Sequence, residues 1–136
     1  MRVLADTSVW SLALRRSRSA PVSGAAEELA RLVRSYQVVI IGPVRQELLS
    51  GIRFAQQYER LRERLRAFPD LQIRTEDYEL AATFFNSCRA HGIHGSNTDF
   101  LICAVAVSRA MPVYTTDRDF DAYARILNVK LHLAGA

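Results

Sequence analysis

The order of hydrophobic and polar residues divides the chain into short apolar runs separated by longer amphipathic stretches. The runs have the length of β-strands, and they are RVLA (2–5), QVVII (37–41), LQIR (71–74), PVYT (112–115) and VKLHL (129–133). The second and fourth runs lack a clean alternation of apolar and polar residues, which is typical of parallel strands covered on both faces. We therefore predict a sheet of about five strands, most of them parallel.

The stretches between these runs carry the periodicity and the end signals of helices. Helices are predicted over residues 23–35, 43–49, 54–68, 75–90 and 97–110. Strands that alternate with helices indicate βαβ units. The fold class is therefore α/β, with a central, mostly parallel sheet and helices on both faces, and the length of 136 residues suits a single domain over 1–136.

Composition narrows the class of protein further. No apolar run approaches the roughly 20 residues that span a bilayer, and the first residues lack the order of a secretory signal, so we expect a cytoplasmic protein with no membrane partner. Cys88 and Cys103 lie in helical patterns, where we expect two buried thiols rather than a disulfide or a metal pair.

The charge of the chain suits a polyanionic partner. The net charge is +4, and Lys130 is the single lysine among 18 basic residues. The arginine guanidinium matches the geometry of phosphate, although the base composition of the genome alone would also give this excess of arginine over lysine. The arginines of 54–68 form either a solvated face or a surface that contacts RNA or a partner. Residues 10–20 likewise either contact a partner or RNA, or form a short helix that runs into a loop, which we place at 15–20.

Two acids stand at the carboxyl ends of predicted strands. Asp6 follows the first strand in VLADTSVW, and Asp117 closes the fourth in VYTTDRDF. Ligands of α/β folds collect outside the carboxyl ends of the strands, so these carboxylates mark a functional edge rather than core. Asp99, in the first turn of the apolar helix NTDFLICAVAV, either caps that helix together with Asn97 or joins this edge. Glu47 taken alone is an ordinary solvated glutamate.

Four motifs in register add a family resemblance. ADTSVW, PVRQELLSG, TDFLICAVA and YTTDRDF together resemble PIN-domain ribonucleases, specifically the VapC toxins of bacterial toxin–antitoxin pairs, over nearly the whole chain. The resemblance implies a PIN domain that hydrolyses RNA and leaves a 5′-phosphate and a 3′-hydroxyl. It also implies a homodimer and a cognate antitoxin that blocks the site, often by inserting a basic side chain among the acids.

The resemblance also implies the residues of the site. The four family acids fall on Asp6, Glu47, Asp99 and Asp117, and the hydroxyl positions that order the site fall on Thr7 or Ser8 and on Thr115, with Asp119 as a further, outer acid. Asp121 matches no motif, and we interpret it as a solvated turn residue. His91 and His94 lack the spacing of a zinc motif, and we interpret them as loop residues or substrate contacts.

A cation would explain why so many acids share one site. Crowded carboxylates destabilise a fold unless an opposite charge balances them, and an all-oxygen site favours Mg²⁺ or Mn²⁺ over zinc. We expect Asp6 and Asp99 to hold the principal ion, and Asp117 to hold the same ion or a second one. Glu47 would position or deprotonate the attacking water, and the hydroxyls would orient the carboxylates.

Two rival functions remain open. One is an unrelated Mg²⁺-dependent α/β phosphotransfer domain. Haloacid-dehalogenase-type phosphatases carry a second Asp where this chain has Ser8, and response-regulator receivers carry a paired acid at the first strand and a late lysine, for which Lys130 is a poor fit. The other is a catalytically silent PIN scaffold that binds RNA or a protein partner. All four acids are present, which gives no reason to expect a silent site.

Overall fold

Three parallel strands form the centre of the fold in a computed structural model that describes residues 1–14 and 24–133. They are β1 (Val3–Ala5), β2 (Val38–Val39) and β3 (Val113–Tyr114), and their order in the sheet is β2-β1-β3. In the register of the sheet, Leu4 lies opposite Val39 on one side and opposite Val113 on the other. The predicted parallel sheet and the α/β class are confirmed.

The two outer strands of the prediction are reduced to single contacts. Ile40 makes one parallel bridge to Asp70, and Val113 makes one to Leu131. The predicted strand 71–74 does not continue from its bridge, because the carbonyl of Gln72 accepts a hydrogen bond from the Arg109 guanidinium instead of from a neighbouring strand. The sheet therefore has three strands with one extra parallel contact on each side, rather than five full strands.

Seven helices lie within residues 1–14 and 24–133. They are α1 (Thr7–Leu14), α2 (Gly24–Arg34), α3 (Gly42–Leu49), α4 (Ala55–Leu65), α5 (Thr75–Ala90), α6 (Asn97–Ser108) and α7 (Asp119–Ile126). The five predicted helices correspond to α2 to α6. The predicted start of α2 at residue 23 and the predicted loop at 15–20 lie outside the described residues, and α1 bears out the short helix for the first part of 10–20.

Helix α7 is a correction, because its sequence was not recognised as helical. Asp121, interpreted as a turn residue, lies in the first turn of this helix, where its side chain is exposed. Only Phe120 and Tyr123 of α7 are buried, and the Asp117 carboxylate accepts a hydrogen bond from the Asp119 backbone at its start. A helix of eight residues is shorter than the stretch of about 11 to 18 residues over which helical periodicity is read from a sequence.

The core is built around α6. Every residue from 100 to 106 is buried, as expected of a helix that is apolar nearly all round. Helix α6 packs against α5 and β3, whereas α1 packs against α2 and α3. Cys88 and Cys103 are buried free thiols, as predicted. In the described part of the chain, no helix has both the length and the apolarity that crossing a membrane requires.

The exposed face of α4 carries the arginines noted in the sequence. Arg62 forms an ion pair of 2.5 Å with Glu59, one turn earlier, while Arg60, Arg64 and Arg66 are exposed. The ion pair is what a solvated, salt-bridged face would show. A contact of the three exposed arginines with RNA or a partner stays a prediction.

Candidate active site

Asp6 is buried at the carboxyl end of β1, with only 4% of its surface exposed. Its backbone N–H donates to the carbonyl of Tyr114 on β3 over 3.0 Å, which continues the sheet by one residue. Its Oδ1 accepts hydrogen bonds from the Ser8 hydroxyl (2.7 Å) and the Val9 N–H (3.3 Å), and its Oδ2 accepts one from the Thr115 hydroxyl (2.7 Å). Asp6 thus also caps α1, which begins at the next residue.

A group of hydroxyls ties the turn after β3 to the start of α1. Ser8 Oγ accepts hydrogen bonds from the backbone N–H and the hydroxyl of Thr116, both over 3.0 Å. Thr115 Oγ1 in turn accepts the N–H of Asp117 over 2.9 Å. Ser8 and Thr115, expected to order the site, both contact the Asp6 carboxylate. Thr116 was not anticipated, and its only signal in the sequence was the neighbouring hydroxyl.

Asp99 lies in the first turn of α6 and is half-buried. Ser96, not Asn97, is the N-cap, because the Ser96 hydroxyl accepts the Asp99 N–H over 3.1 Å. The Asp99 carboxylate accepts a hydrogen bond of 2.9 Å at Oδ2 from the hydroxyl of Tyr123, on α7. Sequence reasoning missed Tyr123, because nothing in a short polar helix indicates which side chain will reach the start of α6.

The negative charge of Asp117 raises the pKa of two neighbouring acids. Burial raises the pKa of Asp6, opposed by the hydrogen bonds from Ser8 and Thr115, and the negative charge of Asp117 raises it further. Burial likewise raises the pKa of Asp99, and the charge of Asp117 adds to that effect. The carboxylates of Asp6 and Asp99 therefore both lie within electrostatic range of Asp117.

Two buried groups beneath the acids stay protonated for the same reason. Burial, together with the charges of Asp99 and Asp6, raises the pKa of the Cys103 thiol far above its ordinary value. Burial, the hydrogen bond to Asp99 and the nearby acids raise the pKa of the Tyr123 phenol. The Cys103 sulfur is a soft donor and is fully buried, so the carboxylates are the donors that a hard cation would use at this site.

Glu47 reaches the site from α3. Its side chain is exposed, and its Oε1 accepts a hydrogen bond of 2.6 Å from the hydroxyl of Thr7, the residue next to Asp6. The structure thus places Glu47 in contact with the residue that follows Asp6. Asp119 contributes its backbone N–H, which donates to Asp117 over 2.9 Å, and its side chain is exposed.

The two loop histidines lie outside this network. His91 Nδ1 is 2.8 Å from the carbonyl of Ser87 in the last turn of α5, and the His94 side chain is exposed. His94 approaches the site only through its backbone, since its carbonyl is 3.5 Å from the Tyr123 hydroxyl.

The donor chemistry of the site fits a hard divalent cation. The four acids offer only carboxylate oxygens, and no Lys, Arg or His of residues 1–14 and 24–133 forms an ion pair with any of them. In the same part of the chain, no three His, Cys, Asp or Glu side chains are arranged to hold a metal ion as they stand. Glu47 is exposed and Asp117 half-buried, so both side chains have room to turn toward an ion.

The sequence profile of the PIN domain family matches residues 3–126. The chain belongs to the PIN domain family. The family resemblance predicted from the four motifs is confirmed, and membership removes the reason to consider an unrelated phosphotransfer fold. A comparison with curated proteins finds no match.

Solved structures with the same fold cover almost the entire chain. FitAcB from Neisseria gonorrhoeae superposes with a TM-score of 0.75 at 22% sequence identity, over 97% of both chains. VapBC2 from Rickettsia felis, bound to a DNA fragment from its promoter, gives 0.77 at 18% identity over 97% of this chain and 98% of that one. VapBC-1 from nontypeable Haemophilus influenzae gives 0.73 at 15% identity over 97% of both. At these identities the likeness establishes the PIN fold.

Proposed function

We propose that this PIN domain is a Mg²⁺- or Mn²⁺-dependent endoribonuclease of the VapC type, acting in the cytoplasm as the toxin of a toxin–antitoxin pair. One observation carries the proposal. Asp6 and Asp117 come from opposite ends of the chain and share the Thr115 hydroxyl, which donates to the Asp6 carboxylate and accepts the Asp117 N–H, and within residues 1–14 and 24–133 no basic side chain forms an ion pair with either acid. Such an arrangement costs stability and is expected where a cation binds.

The residues take distinct roles in this proposal. Asp6, Asp99 and Asp117 hold the ion, and Ser8 and Thr115 fix the orientation of Asp6. A bound ion supplies a water of lowered pKa and stabilises charge on the leaving oxygen of the phosphodiester.

Glu47 positions or deprotonates the attacking water. It suits this role because its side chain is exposed to solvent, and because the hydroxyl of Thr7 donates a hydrogen bond to one of its oxygens. The products are a 5′-phosphate and a 3′-hydroxyl.

The proposed antitoxin partner has a suitable surface on this chain. Helices α1, α2 and α4 border an open cavity of about 1110 Å³ whose lining is mostly apolar and includes Trp10, Leu14, Leu29, Val33 and Phe68. Trp10 is buried, and within residues 1–14 and 24–133 its indole N–H has no hydrogen-bond partner. An apolar cavity with an unused donor suits an apolar peptide segment that offers a backbone carbonyl. The homodimer remains part of the proposal on family resemblance alone.

The test is cleavage of RNA by the purified chain. Single-stranded and hairpin oligonucleotides and total bacterial RNA are incubated with Mg²⁺, with Mn²⁺ or with EDTA. The expected result is metal-dependent cleavage that leaves 5′-phosphate ends and falls at least ~100-fold in Asp6→Asn, since removing a metal ligand removes the metal's contribution. Asp121→Asn is the control, because Asp121 is an exposed acid on α7 with no role in the site.

Two results would decide against the nuclease. Cleavage that is unchanged by Asp6→Asn would remove the proposed mechanism. Metal-independent binding of RNA, with no cleavage of any substrate, would instead favour a catalytically silent scaffold.

A further inference from the structure

We propose that Tyr123 is a positioning residue that holds Asp99 in place for the metal ion, and that Gly95 provides the space in which it does so. The inference rests on the proposed metal-dependent function and deepens it. It adds two residues that lie outside the four sequence motifs to the machinery of the site.

The contact between Tyr123 and Asp99 joins two helices. The Tyr123 hydroxyl, on α7, donates to Asp99 Oδ2 over 2.9 Å. Tyr123 has 0% of its surface exposed, so its hydroxyl is not accessible to solvent. The other acceptor near this hydroxyl, the carbonyl of His94, is 3.5 Å away. A buried phenol needs a partner, and the Asp99 carboxylate is the closer one.

The position of this hydroxyl is set by the packing of the phenol ring. The ring of Tyr123 lies 5.0 Å from that of Phe100 on α6 and 5.0 Å from that of Phe120 on α7, tilted against the first and edge-on to the second. Phe100 and Phe120 are themselves fully buried. A ring held on two sides in a dense core cannot swing, so its hydroxyl is a fixed donor toward which the carboxylate must turn.

Gly95 lies directly over this hydroxyl. A Cβ atom at position 95 would stand 2.2 Å from the Tyr123 hydroxyl oxygen, 2.8 Å from the ring carbon that bears it and 3.1 Å from Phe100. A clash this short must be relieved by a shift of the Tyr123 hydroxyl or of the backbone that leads into α6, and either shift alters the contact between the hydroxyl and Asp99. This glycine is thus needed for space.

The physical consequence concerns the orientation of Asp99. Its carboxylate is half-buried, and without the Tyr123 donor it would be free to rotate about its side-chain bonds. A fixed donor at Oδ2 opposes that rotation and keeps the carboxylate oriented. Hydrogen-bonding partners that orient ligands in this way typically contribute 10- to 100-fold to metal affinity.

The test measures Mn²⁺ binding directly, by electron paramagnetic resonance titration of the purified chain. Tyr123→Phe removes one oxygen atom and keeps the ring, and we expect it to bind Mn²⁺ roughly 10-fold more weakly than wild type. Tyr114→Phe is the matched control. Tyr114 is also buried, but its ring packs against His132, and we expect this variant to keep wild-type affinity.

A second readout separates positioning from a general loss of structure. If wild type cleaves an RNA oligonucleotide, Tyr123→Phe should cleave it poorly at low Mn²⁺ and approach the wild-type rate at saturating Mn²⁺. Gly95→Ala should weaken Mn²⁺ binding through the same contact, so its effect and that of Tyr123→Phe should not add in the double variant. Should Tyr123→Phe fail to fold, Gly95→Ala carries the test by itself.

The outcomes distinguish this inference from the proposed function. If wild type binds Mn²⁺ and Tyr123→Phe binds it equally well, the inference is overturned while the nuclease proposal stands. Equal binding by a folded Gly95→Ala variant overturns the role of Gly95. If wild type itself binds no Mn²⁺, the metal-dependent function and this inference fall together.

Discussion

The hydroxyl of Thr115 donates a 2.7 Å hydrogen bond to Oδ2 of Asp6, a residue 109 positions earlier in the chain. The sheet explains how the two meet. Strands β1 and β3 are parallel, and Ala5 lies opposite Tyr114 in their register. The next residue on each strand is Asp6 or Thr115, so both emerge at the same carboxyl edge. The pairing of the two central strands therefore fixes the position of Thr115 relative to Asp6.

Replacing Thr115 by Val should test this contact. Val keeps the branched shape, but it leaves Asp6 Oδ2 without its donor and the Asp117 N–H without its acceptor. We expect RNA cleavage to fall by roughly 10- to 100-fold and the free energy of unfolding to fall by about 1–3 kcal/mol. Activity assays and urea denaturation measure the two effects.

Thr83→Val is the control for this substitution. Among the described residues, the exposed hydroxyl of Thr83 bonds only to carbonyls of its own helix, α5. Its loss should leave cleavage unchanged. Full activity in Thr115→Val at limiting metal would show that the Asp6 carboxylate does not need this donor.

A second prediction concerns pH and the charge of Asp99. Burial and the charge of Asp117 raise its pKa in the folded chain above the ordinary value of 3.8. The folded state then binds the proton more tightly than the unfolded state. The stability that this provides is fully present below 3.8 and is lost as the pH rises through the folded pKa.

Neutralising Asp99 should therefore stabilise the metal-free protein. In EDTA at pH 7, Asp99→Asn should unfold at a higher urea concentration than wild type, and the difference should shrink as the pH falls toward 3.8. An Asp99→Asn variant less stable than wild type at pH 7 would show that the acid is not under electrostatic strain.

The third prediction is that added metal reverses this order of stability, so that wild type becomes more stable than Asp99→Asn. A ligand at about 100 times its Kd stabilises the folded state by about 2.7 kcal/mol, which for a chain of this size raises Tm on the order of 10 °C. Mg²⁺ or Mn²⁺ should have this effect on wild type and on Asp121→Asn, but not on Asp6→Asn or Asp99→Asn. A rise in Tm of equal size in all four proteins would mean that the ions bind elsewhere. Differential scanning fluorimetry with an EDTA reference measures it.

The sequence predicted those parts of the site that depend on strand ends. Asp6 and Asp117 follow apolar runs that end at the same edge of a parallel sheet, so their meeting could be inferred from pattern and topology. Asp99 and Glu47 lie on helices, and no pattern within a helix reveals which way it will turn against the sheet. Their assignment came from the family motifs.

Neither the hydrophobic pattern nor the family motifs predicted a role for Tyr123. Its role depends on the packing of α7 against α6, on a ring fixed between two phenylalanines and on the space above Gly95. Each of these is a tertiary contact, and the sequence of a short segment does not reveal which tertiary contacts it will make. The outer strands were overpredicted for a related reason. A run such as LQIR has the composition of a strand, but whether its backbone pairs depends on competing partners such as Arg109.

The last prediction concerns the other end of α6, where Asp77 fixes the helix that carries Asp99. Asp77 is buried near the start of α5, and one of its oxygens accepts hydrogen bonds from Arg109 (2.7 Å) and Ser108 (3.1 Å) at the end of α6. The other accepts the N–H of Arg74 over 2.8 Å. The hydrogen bond from Arg109, against the effect of burial, lowers the pKa of Asp77 to about 2.

Asp77 should therefore stabilise the fold at neutral pH and cease to do so in acid. Its folded pKa lies below the ordinary value of 3.8, so its contribution is present above 3.8 and is lost as the pH falls toward about 2. Asp77→Asn should lower the free energy of unfolding at pH 7 by about 2 kcal/mol, because it leaves Arg109 without its charged partner. Glu76→Gln, at the exposed neighbouring position, should change it by less than about 0.5 kcal/mol. Urea denaturation at pH 7 and pH 3 measures both, and equal stability of the two variants at pH 7 would contradict the assigned role. Because Asp77 acts at the end of α6 remote from Asp99, a folded Asp77→Asn variant should keep its affinity for Mn²⁺, which separates the stability of this helix from the chemistry at its start.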